Sequence, residues 1–150
     1  METKERLWKF FDDNEYKTYQ DYLDKKPEKI FTYYGNHLEK DTKNLLDYEY
    51  STITSTKDAY PLVMNALFFI IVPKNRYTLR IFEVSYPSDK LYPCKFHSIL
   101  TENRYDCENY EELNSKMEQE INDHRLIQKI TTLLYQFYDR EEVEKIMSNE

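Results

Sequence analysis

A chain of 150 residues is long enough to bury a core without disulfide or metal staples, and its length fits a single domain, 1–150. Its net charge of −7 and pI near 5.1 work against binding to nucleic acid or to anionic membrane surfaces, which need clustered Lys and Arg. One glycine leaves little for loops that cradle phosphate by close backbone approach, and two cysteines without a CxxC spacing make no disulfide framework.

The N-terminus, METKERLWKFFDDNEY, is charged throughout and lacks a signal-peptide apolar segment, so the expected compartment is the cytoplasm. Thr3 can cap a short helix carrying Leu7, Trp8, Phe10 and Phe11. Asn14 can cap a second, with Tyr16, Tyr19 and Leu23 on one face, stopped by Pro27. Pro27 suits the first turn of a third helix, and Ile30, Phe31, Tyr34, Leu38, Leu45 and Leu46 keep approximate helical spacing to about Leu46. Gly35 in its middle leaves a hairpin turning at Gly35-Asn36 as the competing reading of residues 27–46.

From Tyr48 the period changes to two, which predicts an exposed or edge strand to about Ser55 and a turn over Thr56–Pro61. Leu62 to Val72 reads as the central strand, because Leu67-Phe-Phe-Ile-Ile-Val72 is uninterrupted, β-branched and aromatic, and stopped by Pro73. The fold is organised around it, with both faces expected to be covered and Leu67, Phe69 and Ile71 expected in the core. Pro73–Arg76 predicts a hairpin turn. The return strand is apolar at Tyr77, Leu79 and Ile81 and then at Phe82 and Val84, a phase change that predicts a bulge near Ile81. Tyr92, Cys94, Phe96, Ser98 and Leu100 share one face of a fourth strand, and Asn103–Cys107 forms a short fifth. Asn109 with Glu112 and Asp139 with Glu142 have capping-box spacing, and the apolar stripes after them predict amphipathic helices through 110–121, 126–137 and 143–147. The expected fold is α+β: a four- to five-stranded antiparallel meander with N-terminal helices and two to three C-terminal amphipathic helices packed on it. Leu79, Ile81, Phe96, Leu113, Ile130 and Leu134 complete the expected core.

Chemistry is thinly signposted, and no catalytic residue, metal site or cofactor is expected. His37, His97 and His124 are far apart and have no ligand partner at metal spacing. Cys94 and His97 sit three apart on a strand and so point to opposite faces, which works against a nucleophilic pair. Glu83 lies between apolar neighbours, with Arg80 as its expected partner.

Charge is uneven along the chain. Residues 59–100 carry five basic and two acidic side chains, whereas residues 101–150 carry six and thirteen. Acidic helices could lie over a basic sheet rim, or they could form a surface that steers a basic protein partner. Tyrosine is abundant, fifteen residues, and enriched at binding interfaces generally. The leading expectation is a protein-binding or inhibitory module, like immunity proteins, antitoxins and phage-encoded inhibitors in being small, acidic and without chemistry of its own. Its expected contact residues are Tyr105, Tyr110, Glu111, Glu112, Glu118, Tyr135 and Tyr138. The alternative is a small-molecule domain with an aromatic pocket between sheet and helices, its ligand fixed by Arg76 or Arg80.

Overall fold

Five strands, β1 (Asp47–Thr54), β2 (Val63–Val72), β3 (Tyr77–Pro87), β4 (Cys94–Ser98) and β5 (Asn103–Cys107), pair in chain order as one antiparallel meander. Among the described residues, two helices precede the sheet, α1 (Asp13–Asp24) and α2 (Pro27–Asp41). Three follow it, α3 (Tyr110–Ile121), α4 (His124–Phe137) and α5 (Arg140–Met147). This α+β arrangement is the expected one. The computed structural model describes residue 8, residues 13–54 and residues 60–148, without the side chains of 13–18 and 147. The helix predicted around Leu7–Phe11 lies outside that range, apart from an exposed Trp8, as does most of the Thr56–Pro61 turn. In α1, Tyr19 and Leu23 are exposed, and Tyr22 instead packs on the core.

Residues 27–46 hold a helix rather than a hairpin, but it stops at Asp41, short of Leu46. Lys43 and Asn44 take left-handed φ values of 50° and 68°, which no helix continues. Thr42 holds this exit: its hydroxyl donates to the Leu38 carbonyl at 2.8 Å and accepts from the Leu46 amide at 3.1 Å. Gly35 is mid-helix because of what lies beneath it. A Cβ there would come 2.3 Å from Cδ2 of Tyr48 on β1, so only glycine lets α2 rest on that ring. Glu28 pins the other end of α2 to the sheet. It is buried, accepts from the Tyr86 hydroxyl at 3.1 Å, and is paired with Lys26 Nζ at 3.3 Å.

The sheet turns one face to α2, α3 and α4. Its centre is a line of rings: Phe31 of α2 on Phe68, then Phe82, Phe96 and Tyr105, with successive centroids 5.4, 5.8, 5.4 and 5.6 Å apart. Each such pair contributes about 0.5–1.5 kcal/mol beyond the area it buries. The phase of β2 is therefore opposite to the expected one. Ala66, Phe68, Ile70 and Val72 face the helices and are buried, whereas Phe69 and Ile71 point to the other face and are half-buried. Helices cover only that one face among the described residues. Leu67 shares the far face yet is 4% exposed, and the Arg80 guanidinium lies over the Phe69 ring at 5.7 Å. The predicted bulge is present: Phe68 pairs with Phe82 and Phe69 with Arg80, leaving Ile81 as the extra residue. Ile81, Phe96, Leu113 and Leu134 are buried as expected, while Leu79 and Ile130 are half-buried against the core.

Asn109 caps α3 by accepting from the Glu112 amide at 2.8 Å, but Glu112 returns to the Glu108 amide rather than to Asn109. Asp123 caps α4, and Asp139 with Glu142 forms a complete capping box on α5. Beneath α3 sits a residue the hydrophobic pattern hid. Glu120 is 0% exposed, and its carboxylate accepts from Thr101 Oγ1, from Asn103 Nδ2 at 3.1 Å and from the Tyr105 hydroxyl at 3.2 Å. It ties α3 to the β4–β5 hairpin.

Candidate functional site

Two helical faces meet across a groove. On α2, Ile30, Tyr34, His37 and Asp41 fall three or four residues apart and therefore on one side. On α3, Tyr110, Asn114 and Glu118 do the same. Between them is a groove of about 660 Å³, also bordered by Asp24, Lys29 and Tyr33. The Tyr34 hydroxyl crosses it, donating to Asn114 Oδ1 at 3.1 Å. Tyr33 sets its ring edge-on to Tyr34 and to His37, with centroids 5.1 and 4.7 Å away. Burial pushes the Tyr34 phenol up to about 12, and nearby Glu118 adds to the shift, so Tyr34 remains a donor across the physiological range.

A second space of about 370 Å³ adjoins the groove on its inner side, between α2, α4 and the sheet. Tyr34, His37, Asp41, Ile121 and Asn122 border both. The inner chamber has an apolar floor of Phe68, Ile70, Ile81 and Phe82 and apolar walls of Leu38, Leu126 and Ile130. Among the described residues that line it, Asp41 is the only formally charged one.

The expected contact residues divide. Tyr110 and Glu118 line the groove. Glu111 is exposed on the first turn of α3, and Tyr135 is 45% exposed on α4; neither lines it. Glu112 serves the α3 cap. Tyr105 is an internal strut, stacked on Phe96 and bonded to Glu120. Tyr138 is half-buried, donates to the Leu45 carbonyl, and carries Lys74 over its ring at 5.4 Å. Arg76 and Arg80 line neither space: Arg76 is exposed at the β2–β3 turn, and Arg80 is on the far face of the sheet. Tyr33, Tyr34, His37 and Asp41 were not among the expected contact residues. The available signal was an apolar helical stripe that turns polar after Ile30.

Elsewhere, Cys94 and Cys107 are free, buried and directly opposite one another on β4 and β5. Contact with Cys107, together with burial, pushes the Cys94 thiol up, and the Cys107 thiol is drawn down by the same contact. His97 lies on the opposite face from Cys94, in a depression of about 610 Å³ with Glu83, Lys95 and Arg104. Its register partner is Glu83, and no ion pair joins Glu83 to the expected Arg80. The ion pairs seen between described residues, Lys26–Glu28, Asp123–Arg125 and Arg140–Glu144, are all local in sequence, and none binds an acidic helix to the sheet rim. Among the described residues, no group of three His, Cys, Asp or Glu side chains could hold a metal ion, and no helix is long and apolar enough to cross a membrane. No family model, curated protein or solved structure matches the chain.

Proposed function

We propose that the protein is a small acidic binding module, of the immunity-protein, antitoxin or phage-inhibitor type, that holds a basic protein partner and acts by occluding it, without chemistry of its own. One observation carries this reading: the groove brings the carboxylates of Asp24, Asp41 and Glu118 and the phenols of Tyr33, Tyr34 and Tyr110 onto one concave surface, with Lys29 as its one lysine. Exposed carboxylates steer a basic partner toward the groove, and the tyrosines supply contact area at low entropic cost. Surface plasmon resonance with a partner captured from the source cell tests it. Association should slow as salt rises, because such steering is screened beyond ~8–10 Å at physiological ionic strength. Asp41→Lys with Glu118→Lys should slow association further, and Tyr110→Ala should hasten dissociation. An association rate indifferent to both salt and charge reversal would sink the mechanism.

The inner chamber favours a second reading, a small-molecule domain, because it is an aromatic-floored space between sheet and helices. That reading requires a ligand bound without Arg76 or Arg80, and its affinity should change little with salt.

A further inference from the structure

The groove and the chamber differ in chemistry and share a throat. Charged groups line the groove: Asp24, Asp41 and Glu118 against Lys29. The chamber is an apolar gap in the helix layer. Its floor residues Phe68, Ile70, Ile81 and Phe82 are 0–3% exposed, and the half-buried Ile121 and Ile130 stand beside it. At about 370 Å³ the gap has room for an aromatic or long aliphatic side chain.

Three simpler occupants fit less well. An anion would have to pass Asp41 to enter. A cation in the chamber would lose its hydration over an apolar floor and gain no partner deeper in. A purely apolar group would fill the chamber but leave Asp41 at the mouth and the carboxylates along the groove unanswered.

Resting on the basic-partner reading above, we propose that the chamber receives one large apolar side chain of the partner while a Lys or Arg on either side of it meets Asp41 at the throat and Glu118 along the groove. The recognised element is a segment in which a bulky apolar residue is flanked by basic ones. The apolar residue is the anchor, and the basic neighbours select the segment.

Three capped tripeptides separate the parts of this claim: N-acetyl amides of Lys-Trp-Lys, Glu-Trp-Glu and Lys-Ser-Lys, each titrated into the intact chain and followed by amide chemical shifts. Lys-Trp-Lys should bind at least about tenfold more tightly than either of the others, the scale set by burying one large apolar side chain or losing a matched charge. Its shifts should centre on Tyr34, Ile121 and Ile130. Ile130→Phe, which narrows the chamber, should reduce Lys-Trp-Lys to the level of Lys-Ser-Lys. Asp41→Asn should reduce both lysine peptides and leave Glu-Trp-Glu unchanged or improved. Equal binding of Lys-Ser-Lys and Lys-Trp-Lys would overturn the chamber's role while leaving the basic-partner reading intact. Equal binding of Glu-Trp-Glu and Lys-Trp-Lys would overturn both. Shifts confined to other residues, or no binding by any of the three, would overturn the inference.

Discussion

Glu120 shows how a single side chain can be misread. Its place in the run Met117–Ile121, two residues after Glu118, resembles any solvated acidic position on a helix. In the fold it is fully buried and answered by three neutral donors from one hairpin. Glu120→Ala would orphan Thr101, Asn103 and Tyr105 together, so the loss should be roughly 2–3 kcal/mol, the scale of a few unsatisfied buried groups. Tyr105→Phe removes one donor and keeps the stack on Phe96, so it should cost about 1 kcal/mol or less. Urea denaturation of both variants checks this; a Glu120→Ala midpoint equal to that of the parent would mean the carboxylate is not structural. Tyr105 was expected to be an exposed anchor for the same reason that Glu120 was overlooked. A polar residue opposite a helix leaves no mark in its own neighbourhood of sequence, because its partner lies 15 residues away.

At the level of elements, strand and helix types were legible, and so were the bulge and the Asn109 and Asp139 caps, because each is written in a few adjacent residues; Asn14, by contrast, lies inside α1 rather than capping it. The phase of β2 was not legible. A continuous apolar run carries no alternation, and nothing in Leu67–Val72 says which side chains meet the helices. The deciding information sits on α2, where Phe31 docks on Phe68, and on β1, where Tyr48 stacks on it at 5.7 Å. Phe68→Ala should therefore cost about 3–5 kcal/mol, the range for a fully buried phenylalanine. Phe69→Ala should cost visibly less, about 1–2 kcal/mol, since that ring is half-buried under a single guanidinium. Chemical denaturation of the two variants side by side reads the difference. A larger loss at Phe69 would mean that the far face of the sheet is the more tightly packed one.

Over the whole molecule, the uneven charge was plain in the sequence but its destination was not. The acidic C-terminal third sends Glu118 to the groove, yet Asp24 and Asp41 come from the first third of the chain, and only the packing of α2 and the end of α1 beside α3 brings them together. Block charge reports amount, while a site depends on which helix faces meet. The aromatic floor of the chamber was visible as Phe68 and Phe82. Its opening was invisible, because a gap between helices has no residue of its own.

The lone glycine also has a consequence for engineering. With Gly35 committed to the contact with Tyr48, the turns must reach left-handed backbone with ordinary residues: Lys43, Asn44, Arg76 at 61° and Glu102 at 63°. Asn tolerates that region, and Lys43 is held by bonds from its ammonium to the Lys145 and Ser148 carbonyls. Arg76 and Glu102 are exposed, and no side-chain hydrogen bond or ion pair among the described residues holds either one. Left-handed backbone costs an ordinary residue roughly 1–2 kcal/mol, part of which glycine returns as unfolded-chain entropy. Arg76→Gly and Glu102→Gly should each be neutral to about 1 kcal/mol stabilising, and together should raise the melting temperature by about 2–4 °C. A calorimetric scan showing a lower melting temperature for the pair would refute this. If it holds, a chain with a single glycine keeps a reserve of thermal stability at two turn residues that line neither the groove nor the chamber, open to selection or design without altering either lining.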